Sequence, residues 1–452
     1  MHPKTNQILL FSAILLIHLL FLTLRLIRPP ETLSDTVEYM DAASNIYEQG
    51  ILYCGDLSDP IREELYTRRP PVYPLLLGLA VVTGSSVPVF ILQILFSLFS
   101  ILLITRIFQP VPQTRNKFYL LLLILMLATP AQFIYAGRVM AEIPFQLVLV
   151  LLAWCVYRYF SPESNGNKPA GNNNHVWLFY LLLSAGMAMK PVLFPFVIPA
   201  ALFAFFAFVR TKKIVWIAAL LIPVLWITAY GLRNVKQTGT MQYSSIQTAN
   251  LVNYNLRYFI MAGEGGQKAA ETVDTLYSRC GNEPGYAEKN RCLTRGVREI
   301  VAKEPIRYAI FHLKGSVRYF IDPGRFDLVT FFKLSPPDTA GILRVINEEG
   351  IPGIARFLKS QGWGWMILLG LLTLFKLFKL SGLLLYLIRG HQEIPFRIFL
   401  ALLIGYLALV TGPLGTSRFL LPVELLIIGA SLKGWIMLLN RKGLQPYSSR
   451  IL

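Results

Sequence analysis

Charged residues are scarce in this chain of 452 residues: Asp, Glu, Lys and Arg together make up 15%, whereas 54% of the residues are hydrophobic. This balance excludes an ordinary soluble fold. Several apolar stretches are long enough to cross a hydrocarbon core, which takes roughly 20 helical residues. The sequence therefore predicts a polytopic membrane protein.

Acidic residues are scarcer still, with 25 Asp and Glu against 43 Lys and Arg, so the net charge is +18. Such an excess of cations invites a nucleic-acid interpretation. However, membrane proteins collect Lys and Arg in short cytoplasmic loops, and no basic stripe with interleaved aromatic residues stands out here. We therefore predict membrane lipids, and no nucleic acid, among the partners.

Cysteine and histidine are also rare, with four and five residues respectively. Four cysteines cannot build a disulfide scaffold, but Cys280 and Cys292 lie close together in the one long polar segment and would pair if that segment is extracytoplasmic. Cys155, inside an apolar run, is expected to be a packing residue. The sequence contains no HExxH, CxxC pair, P-loop or GxGxxG motif. No cofactor or metal is predicted, and an oxygen-bound divalent cation between two acids stays an alternative.

The apolar stretches predict about ten transmembrane helices. They cover residues 8–27, 88–107, 118–136, 143–160, 176–189, 191–209, 214–230, 363–388, 397–412 and 419–439. We interpret the first as a retained span, because no small-residue cleavage site follows it. With both termini in the cytoplasm, every short cytoplasmic loop carries Lys or Arg, as the positive-inside rule requires. The predicted location is the cell membrane (inner or plasma), with the site facing the outside or periplasm.

The predicted fold class is an all-α polytopic membrane protein with a small, mainly helical extracytoplasmic domain. We divide the chain into an N-terminal transmembrane module (1–230), the extracytoplasmic domain (231–362), and C-terminal transmembrane helices with a cytoplasmic tail (363–452). The first outer loop (28–87) is expected to carry juxtamembrane helices. Within it "TVEYMDAASNIYEQG" has the pattern of an amphipathic interfacial helix, and the apolar run Leu75–Thr83 is too short to span.

Two features within the predicted spans leave alternatives open. Lys190-Pro191 interrupts the apolar stretch 176–209, which is either one long kinked helix or, as we prefer, a hairpin with Lys190 at the outer surface. Glu424 lies inside the last span, where it faces a cavity or hydrogen-bonds a neighbouring helix.

The stretch "YTRRPPVYPL" places Arg68 and Arg69 before rigid prolines and then a hydrophobic run. Prolines fix φ and disfavour helix in the preceding residue, so the arginines are expected at the surface that the following helix enters. Asp35 follows the first span and suits either a general base or an N-terminal helix cap, because Glu38 stands at capping-box spacing. The two roles do not exclude one another.

Several charged residues map to the same predicted face of the membrane, each at or near a span end. They are Asp35, Arg68, Arg69, Arg138, Glu142, Lys190 and Arg418. Acids and fixed cations at one depth suit a lipid phosphate: cations neutralise a phosphate leaving group, Arg offers a bidentate fork, and an acid deprotonates the nucleophile. For Arg138 and Arg418, an interfacial anchor or a headgroup contact is an equal alternative.

The order of these features resembles the GT-C superfamily of membrane glycosyltransferases. The closest branch contains the dolichyl-phosphate-mannose protein mannosyltransferases and the bacterial aminoarabinose lipid A transferases. The resemblance rests on Asp35 after the first span, "RRPPVYPLLLGL", "MAEIPF", "MKPVLFP" and the closing "SRFLLPVE". It covers the transmembrane portion, about two thirds of the chain, and no single motif is specific.

The resemblance implies inverting transfer of one sugar from a polyprenyl-phosphate donor to a lipid, glycan or protein acceptor at the outer leaflet. By the same resemblance Asp35 is the catalytic base, Glu142 the second acid, and Arg69 a donor-phosphate ligand, although the family often has Lys there. Further expected phosphate or lipid contacts are Arg68, Lys190, Arg418 and Arg138.

One departure concerns the adjacent pair of acids that marks protein mannosyltransferases. Asp35 stands between Ser34 and Thr36, which argues against protein O-mannosylation. The alternatives to an enzyme are a flippase for lipid-linked sugars and a non-catalytic envelope polysaccharide assembly subunit. The chain shows no internal repeat of the kind that transporters often have.

Overall fold

The structure is a computed structural model that describes residues 3–28, 33–108, 112–160, 172–334, 363–389 and 394–439. Within these ranges the regular elements are helices, and no β-strand occurs. The predicted all-α fold class is therefore confirmed.

The N-terminal part contains membrane-length helices and several shorter ones, two of which lie between the first and second membrane-length helices. The bounds are α1 Pro3–Ile27, α2 Ser34–Gln49, α3 Val72–Thr83, α4 Val87–Ile107, α5 Arg115–Leu127, α6 Pro130–Ala136, α7 Glu142–Phe160, α8 Asn173–Met189, α9 Val197–Thr211, α10 Val215–Ala218 and α11 Leu221–Thr238.

The remaining helices form the polar segment and the C-terminal spans. Their bounds are α12 Ile246–Asn250, α13 Arg257–Glu264, α14 Gly266–Gly281, α15 Tyr286–Val301, α16 Pro305–Ile321, α17 Arg325–Phe332, α18 Trp363–Arg389, α19 Ile394–Thr411 and α20 Ser417–Leu439. A π-helical turn, Leu251–Leu256, joins α12 to α13.

The described residues contain eight helices that are long and apolar enough to cross a membrane, or nine if one bent pair counts as a span. That pair is α5 and α6, which meet at 67° in place of the single predicted span 118–136. The break has a local cause, since Thr129 precedes Pro130 and a residue before proline avoids the helical conformation. The predicted span 176–189 corresponds to α8, which has 17 residues.

The chain breaks at Lys190, as the hairpin interpretation predicts. Lys190 has an extended backbone (φ −143°, ψ 119°) between α8 and the 3₁₀ turn Pro191–Phe196. One long kinked helix over 176–209 is thereby excluded.

The two helices of the first outer loop pack on each other. Tyr39 of α2 and Tyr73 of α3 are fully buried and meet edge to face, with ring centroids 4.8 Å apart. Helix α3 begins at Val72, directly after Pro70-Pro71, because proline suits the first turn of a helix and ends whatever precedes it. The double proline thus fixes the distance between Arg69 and α3.

The polar segment has a hydrophobic core of its own, separate from that of the membrane bundle. It is formed by α13, α14, α15 and the π-helical turn, with buried residues such as Val252, Phe259, Leu276 and Val297. A disulfide between Cys280 and Cys292 joins α14 to α15. The predicted domain boundary at 230/231 falls inside α11, which continues to Thr238, so the division into domains stays a prediction.

Helices α18 and α20 approach closely and share buried charges. A Cβ added at Gly434 would lie 2.1 Å from the carbonyl oxygen of Gly382, so the two backbones are in contact. Glu424 pairs with Lys376 at 2.7 Å and with Lys379 at 2.5 Å, and all three side chains are buried. Of the two roles considered for Glu424, the structure shows the contact with a neighbouring helix.

We expect Gly434→Ala to lower the thermal unfolding temperature in detergent, because the new methyl group forces α18 and α20 apart; overpacking of this kind costs roughly 1–3 kcal/mol. The matched control is Gly405→Ala on α19, where an added Cβ meets nothing within 4 Å. Equal unfolding temperatures for the two variants would contradict the close contact.

Candidate functional site

Helix α2 presents two carboxylates on one side, Asp35 and Glu38, separated by one turn. The N-cap residue is Leu33, and no side chain caps this helix. The capping role considered for Asp35 is therefore wrong: its carboxylate oxygens point to arginines rather than to the backbone N–H groups of the first turn.

The arginines of the "RRPPVYP" stretch bind these two acids. Arg69 donates to Asp35 at 2.6 Å and to Glu38 at 2.7 Å, and Arg68 donates to Glu38 at 2.9 Å. The guanidinium of Arg69 also lies over the ring of Tyr39, 4.8 Å from its centroid. One face of α2 is thereby tied to the loop before α3.

Two side chains from the region of α11 hold the backbone of this loop. Arg233 donates to the carbonyl of Tyr66 at 2.6 Å, and the Ser244 hydroxyl donates to the carbonyl of Arg68 at 2.9 Å. With the prolines on the other side, Arg68 and Arg69 are fixed at both ends. These contacts hold the backbone of Arg68 and Arg69 in a fixed position in the site.

A second set of contacts comes from the ends of three further helices. Arg418, in the first turn of α20, donates to Asp35 and, at 2.6 Å, to Glu142 at the start of α7. Lys190, after α8, donates to the same Glu142 oxygen at 2.9 Å. Arg418 therefore bridges the acids of α2 and α7.

These seven side chains form one ion-pair cluster, which we call the charge cluster: Asp35, Glu38, Arg68, Arg69, Glu142, Lys190 and Arg418. Four cations face three carboxylates, so the cluster carries one net positive charge when all are ionised. Its members differ in exposure: Arg418 is 25% and Asp35 21% exposed, whereas Glu142 is 1% exposed. Arg68 and Glu38 are exposed to a similar degree, 22% and 18%, so Glu142 is the buried end of the cluster.

The ionisation of Asp35 is set by its arginine partners. Burial alone would raise the pKa of Asp35, but the charges and hydrogen bonds of Arg418 and Arg69 outweigh it and hold the pKa below its ordinary value. Asp35 is therefore a carboxylate at neutral pH. While both arginines stay bound to it, it is a weak base.

Arg138 forms an ion pair with an acid that is not a member of the charge cluster. It lies 3.7 Å from Asp327 of α17 and over the ring of Tyr135, and both Arg138 and Asp327 are 2% exposed. The Tyr135 hydroxyl donates to Asp327 at 2.7 Å, and the Ser417 hydroxyl donates to it at 2.5 Å. The phosphate contact expected of Arg138 stays a prediction.

Asp327 and Asp322 fix the start of α20. Asp322 accepts a hydrogen bond from the backbone N–H of Ser417 at 2.6 Å, and Asp327 holds the side chain of the same residue. Burial raises the pKa of Asp327, which the hydrogen bonds from Ser417 and Tyr135 partly offset. The segment of α16 and α17 thus sets the position of Arg418, one residue after Ser417.

Sequence reasoning missed three of these acids. Glu38 stands one turn after Asp35, and its capping-box spacing suggests a cap but does not reveal its ion pairs with Arg68 and Arg69. Asp322 and Asp327 lie in a segment without any recognisable motif, and nothing in the sequence links them to Ser417. Among the described residues, no group of three or more His, Cys, Asp or Glu side chains is placed so that it could hold a metal ion.

We expect Glu142→Gln to destabilise the protein by about 3–5 kcal/mol, because it removes the buried carboxylate that pairs with half-buried Arg418 and Lys190. The measurement is chemical unfolding in detergent micelles. Glu304→Gln is the control: Glu304 pairs with Arg307 at 2.6 Å but is 46% exposed, so its loss should cost at most about 1 kcal/mol. Similar losses in both variants would show that Glu142 is not a buried partner.

No family model matches the chain, and no curated protein matches it in sequence. Among solved structures it is similar to the archaeal oligosaccharyltransferase AglB from Archaeoglobus fulgidus, in complex with an inhibitory peptide and a dolichol-phosphate, at 13% identity and a TM-score of 0.47. That match covers 97% of this chain and 52% of AglB, so this chain spans about half the length of AglB.

The chain is also similar to ArnT from Cupriavidus metallidurans. The match to ArnT bound to undecaprenyl phosphate has 12% identity and a TM-score of 0.38 and covers 99% of this chain and 83% of ArnT. The match to the apo state has 12% identity and a TM-score of 0.36, with the same coverage.

Proposed function

We propose that this protein is a membrane glycosyltransferase of the GT-C type. It moves a monosaccharide from a polyprenyl-phosphate-linked donor to a lipid, glycan or protein acceptor at the outer leaflet. The observation that carries the proposal is the charge cluster, in which acids and fixed cations from five segments of the chain meet, among them the partly exposed carboxylate of Asp35.

The charge of the cluster suits a donor of this class. A polyprenyl-phosphate sugar is a phosphodiester with one negative charge, which matches the single net positive charge of the cluster. When the sugar leaves, the phosphate becomes a monoester with a charge of about −1.5 to −2 at pH 7. The cations therefore bind the leaving group more strongly than the donor, which is how an electrostatic site accelerates a reaction.

The bonds change at one carbon of the sugar. The oxygen of an acceptor hydroxyl attacks the anomeric carbon while the bond from that carbon to the phosphate oxygen breaks. Asp35 takes the hydroxyl proton, and polyprenyl phosphate leaves with the bonding electron pair, held by Arg69, Arg418 and Lys190. Attack opposite to the leaving group inverts the anomeric centre, as the family resemblance implies.

Donor binding also activates the base. In the structure Arg69 and Arg418 both donate to Asp35. A donor phosphate competes for these guanidinium groups, and each hydrogen bond that Asp35 loses raises its pKa. Asp35 then becomes a stronger base only when the donor is present, so the acceptor hydroxyl is deprotonated beside a sugar rather than in an empty site.

Glu142 has a different part in this proposal from that of Asp35. It is almost fully buried and binds Lys190 and Arg418 through one oxygen, whereas its Oε2 atom accepts no hydrogen bond from the described residues. It therefore acts as the anchor that keeps Lys190 and Arg418 on the donor side. Asp35, the more exposed acid, is the residue that meets the acceptor.

We expect Asp35→Asn to lower sugar transfer at least about 100-fold, since general bases contribute roughly 10²–10⁴ in rate. The assay compares outer-surface glycans by mass spectrometry in a deletion strain that carries the wild-type or the variant gene. Glu48→Gln is the control, because it makes the same change at an exposed position of the same helix. Normal transfer by Asp35→Asn, at equal protein level, would remove Asp35 as the base.

We expect Arg69→Ala to weaken binding of undecaprenyl phosphate roughly tenfold to a hundredfold, because a hydrogen bond to a charged group contributes about 1.5–3 kcal/mol. Binding is measured by native mass spectrometry, with undecaprenol as the phosphate-free probe. Arg62→Ala, which removes an arginine that is 65% exposed and pairs with Glu64, serves as the control. Equal affinity of the wild type for both probes would argue against a phosphate site.

A further inference from the structure

Helix α16 presents an apolar face that no described part of the chain covers. Its residues recur at intervals of four, three and four positions, which places them on one side of a helix. They are Ile306, Ile310, Leu313 and Val317, with exposed fractions of 76%, 50%, 56% and 61%. Single exposed apolar residues are ordinary, but a continuous stripe over three turns marks an interaction surface.

The other sides of α16 are occupied by the protein. Towards the membrane bundle, the His312 ring bonds to the carbonyl of Leu409 at 2.6 Å. The backbone there is in close contact too, since a Cβ added at Gly315 would lie 2.3 Å from the Gly412 carbonyl oxygen. Towards the disulfide-linked core, the rings of Tyr308 and Phe311 pack on Phe259. The helix therefore lies between the end of a span and the polar segment, with the apolar stripe facing away from both.

Helix α16 is attached to the end of a membrane-length helix that exposes apolar side chains. Helix α19 is one of the membrane-length helices, and Leu409 and Val410 in its last turn are 52% and 44% exposed. The contact of His312 with the Leu409 carbonyl attaches α16 to that same turn, so α16 lies at the end of a membrane-length helix. The depth of α16 is thus the boundary between acyl chains and headgroups.

The charges on α16 are those of a helix at this boundary. The helix contains no acidic residue. Lys314 and Arg318 are exposed roughly a quarter turn from the stripe, on the side of Phe311 and the polar segment. Interfacial helices carry Lys and Arg beside an apolar face in this way, because the cations reach anionic headgroups while the apolar side chains enter the acyl region.

We propose that α16 is an interfacial helix that anchors the polar segment to the bilayer. Its stripe of Ile306, Ile310, Leu313 and Val317 inserts at the headgroup–acyl boundary, and Lys314 and Arg318 bind anionic lipid headgroups. The proposal is independent of the glycosyltransferase assignment, since it depends only on the surface of α16 and its attachment to α19.

The position of α16 also affects the position of Arg418 in the charge cluster. Helix α16 ends at Ile321, and the next residue, Asp322, holds the backbone of Ser417. A helix fixed at the membrane surface thus fixes the level of the first turn of α20 and of Arg418 within it. The lipid surface and the charge cluster are in this way kept at a constant separation.

The proposal is tested by spin labelling in nanodiscs of phosphatidylcholine and phosphatidylglycerol. A label is attached at Ile310→Cys or Val317→Cys after Cys54 and Cys155 are replaced by alanine, with the disulfide left intact. Thr275→Cys on exposed α14 is the matched control. We expect both α16 labels to be severalfold more accessible to dissolved oxygen than to a water-soluble nickel reagent, and the control to show the reverse order.

Two results would overturn the proposal. Labels on α16 that are as accessible to the nickel reagent as the control would place the stripe in water. Dipolar broadening between labels of two molecules would instead identify a second copy of the chain as the occupant. As a check on the cations, replacing Lys314 and Arg318 by glutamate should lower the amount of phosphatidylglycerol retained in native mass spectra, and unchanged retention would contradict their role.

Discussion

Opposite charges that are buried together constrain this structure more than any other interaction. Arg418 reaches the carboxylates of Asp35 and Glu142, which belong to helices far apart in the sequence. A guanidinium or carboxylate that loses its partner in a dry environment costs several kcal/mol. The segments that bring these groups must therefore arrive together, and the relative positions of α2, α7, α8 and α20 follow from that requirement.

The same constraint makes the site responsive to a ligand. A fully apolar pocket would offer an anion no cation to bind. Cations without carboxylate partners would destabilise the folded protein whenever no anion is bound. By pairing each cation with a carboxylate, the chain keeps the positive charges in place, and under the proposed function an incoming phosphate competes with the carboxylates for them. The single excess positive charge sets the direction of that exchange.

Much of the architecture could be predicted from the sequence because membrane helices follow from apolar length. The break at Lys190-Pro191, the helix in "TVEYMDAASNIYEQG" and the short helix after the double proline all have local causes, and the structure shows each of them. The bend between α5 and α6 was missed because Thr129-Pro130 lies within an otherwise continuous apolar run. The C-terminal end of α11 was missed because its last turns are polar and extend the helix beyond the apolar stretch.

The charged residues show where sequence reasoning ends. Proline motifs and span ends pointed to Arg69, Glu142, Lys190 and Arg418, and the structure brings these together with Asp35. Spacing could not distinguish a cap from an ion-pair partner, so Glu38 was assigned the wrong contact. The pairing of Asp327 with Ser417 depends on how the polar segment folds back on α20, and such a long-range contact leaves no periodic signal.

The buried triad of Lys376, Lys379 and Glu424 has a consequence for how the chain enters the membrane. A lysine near the centre of a span costs about 2.5–3.5 kcal/mol on insertion scales, so α18 carries a substantial penalty when it leaves the translocon alone. Its counter-charge is synthesised later, on α20. Helix α18 is therefore further stabilised in the bilayer once α20 has been made and lies beside it.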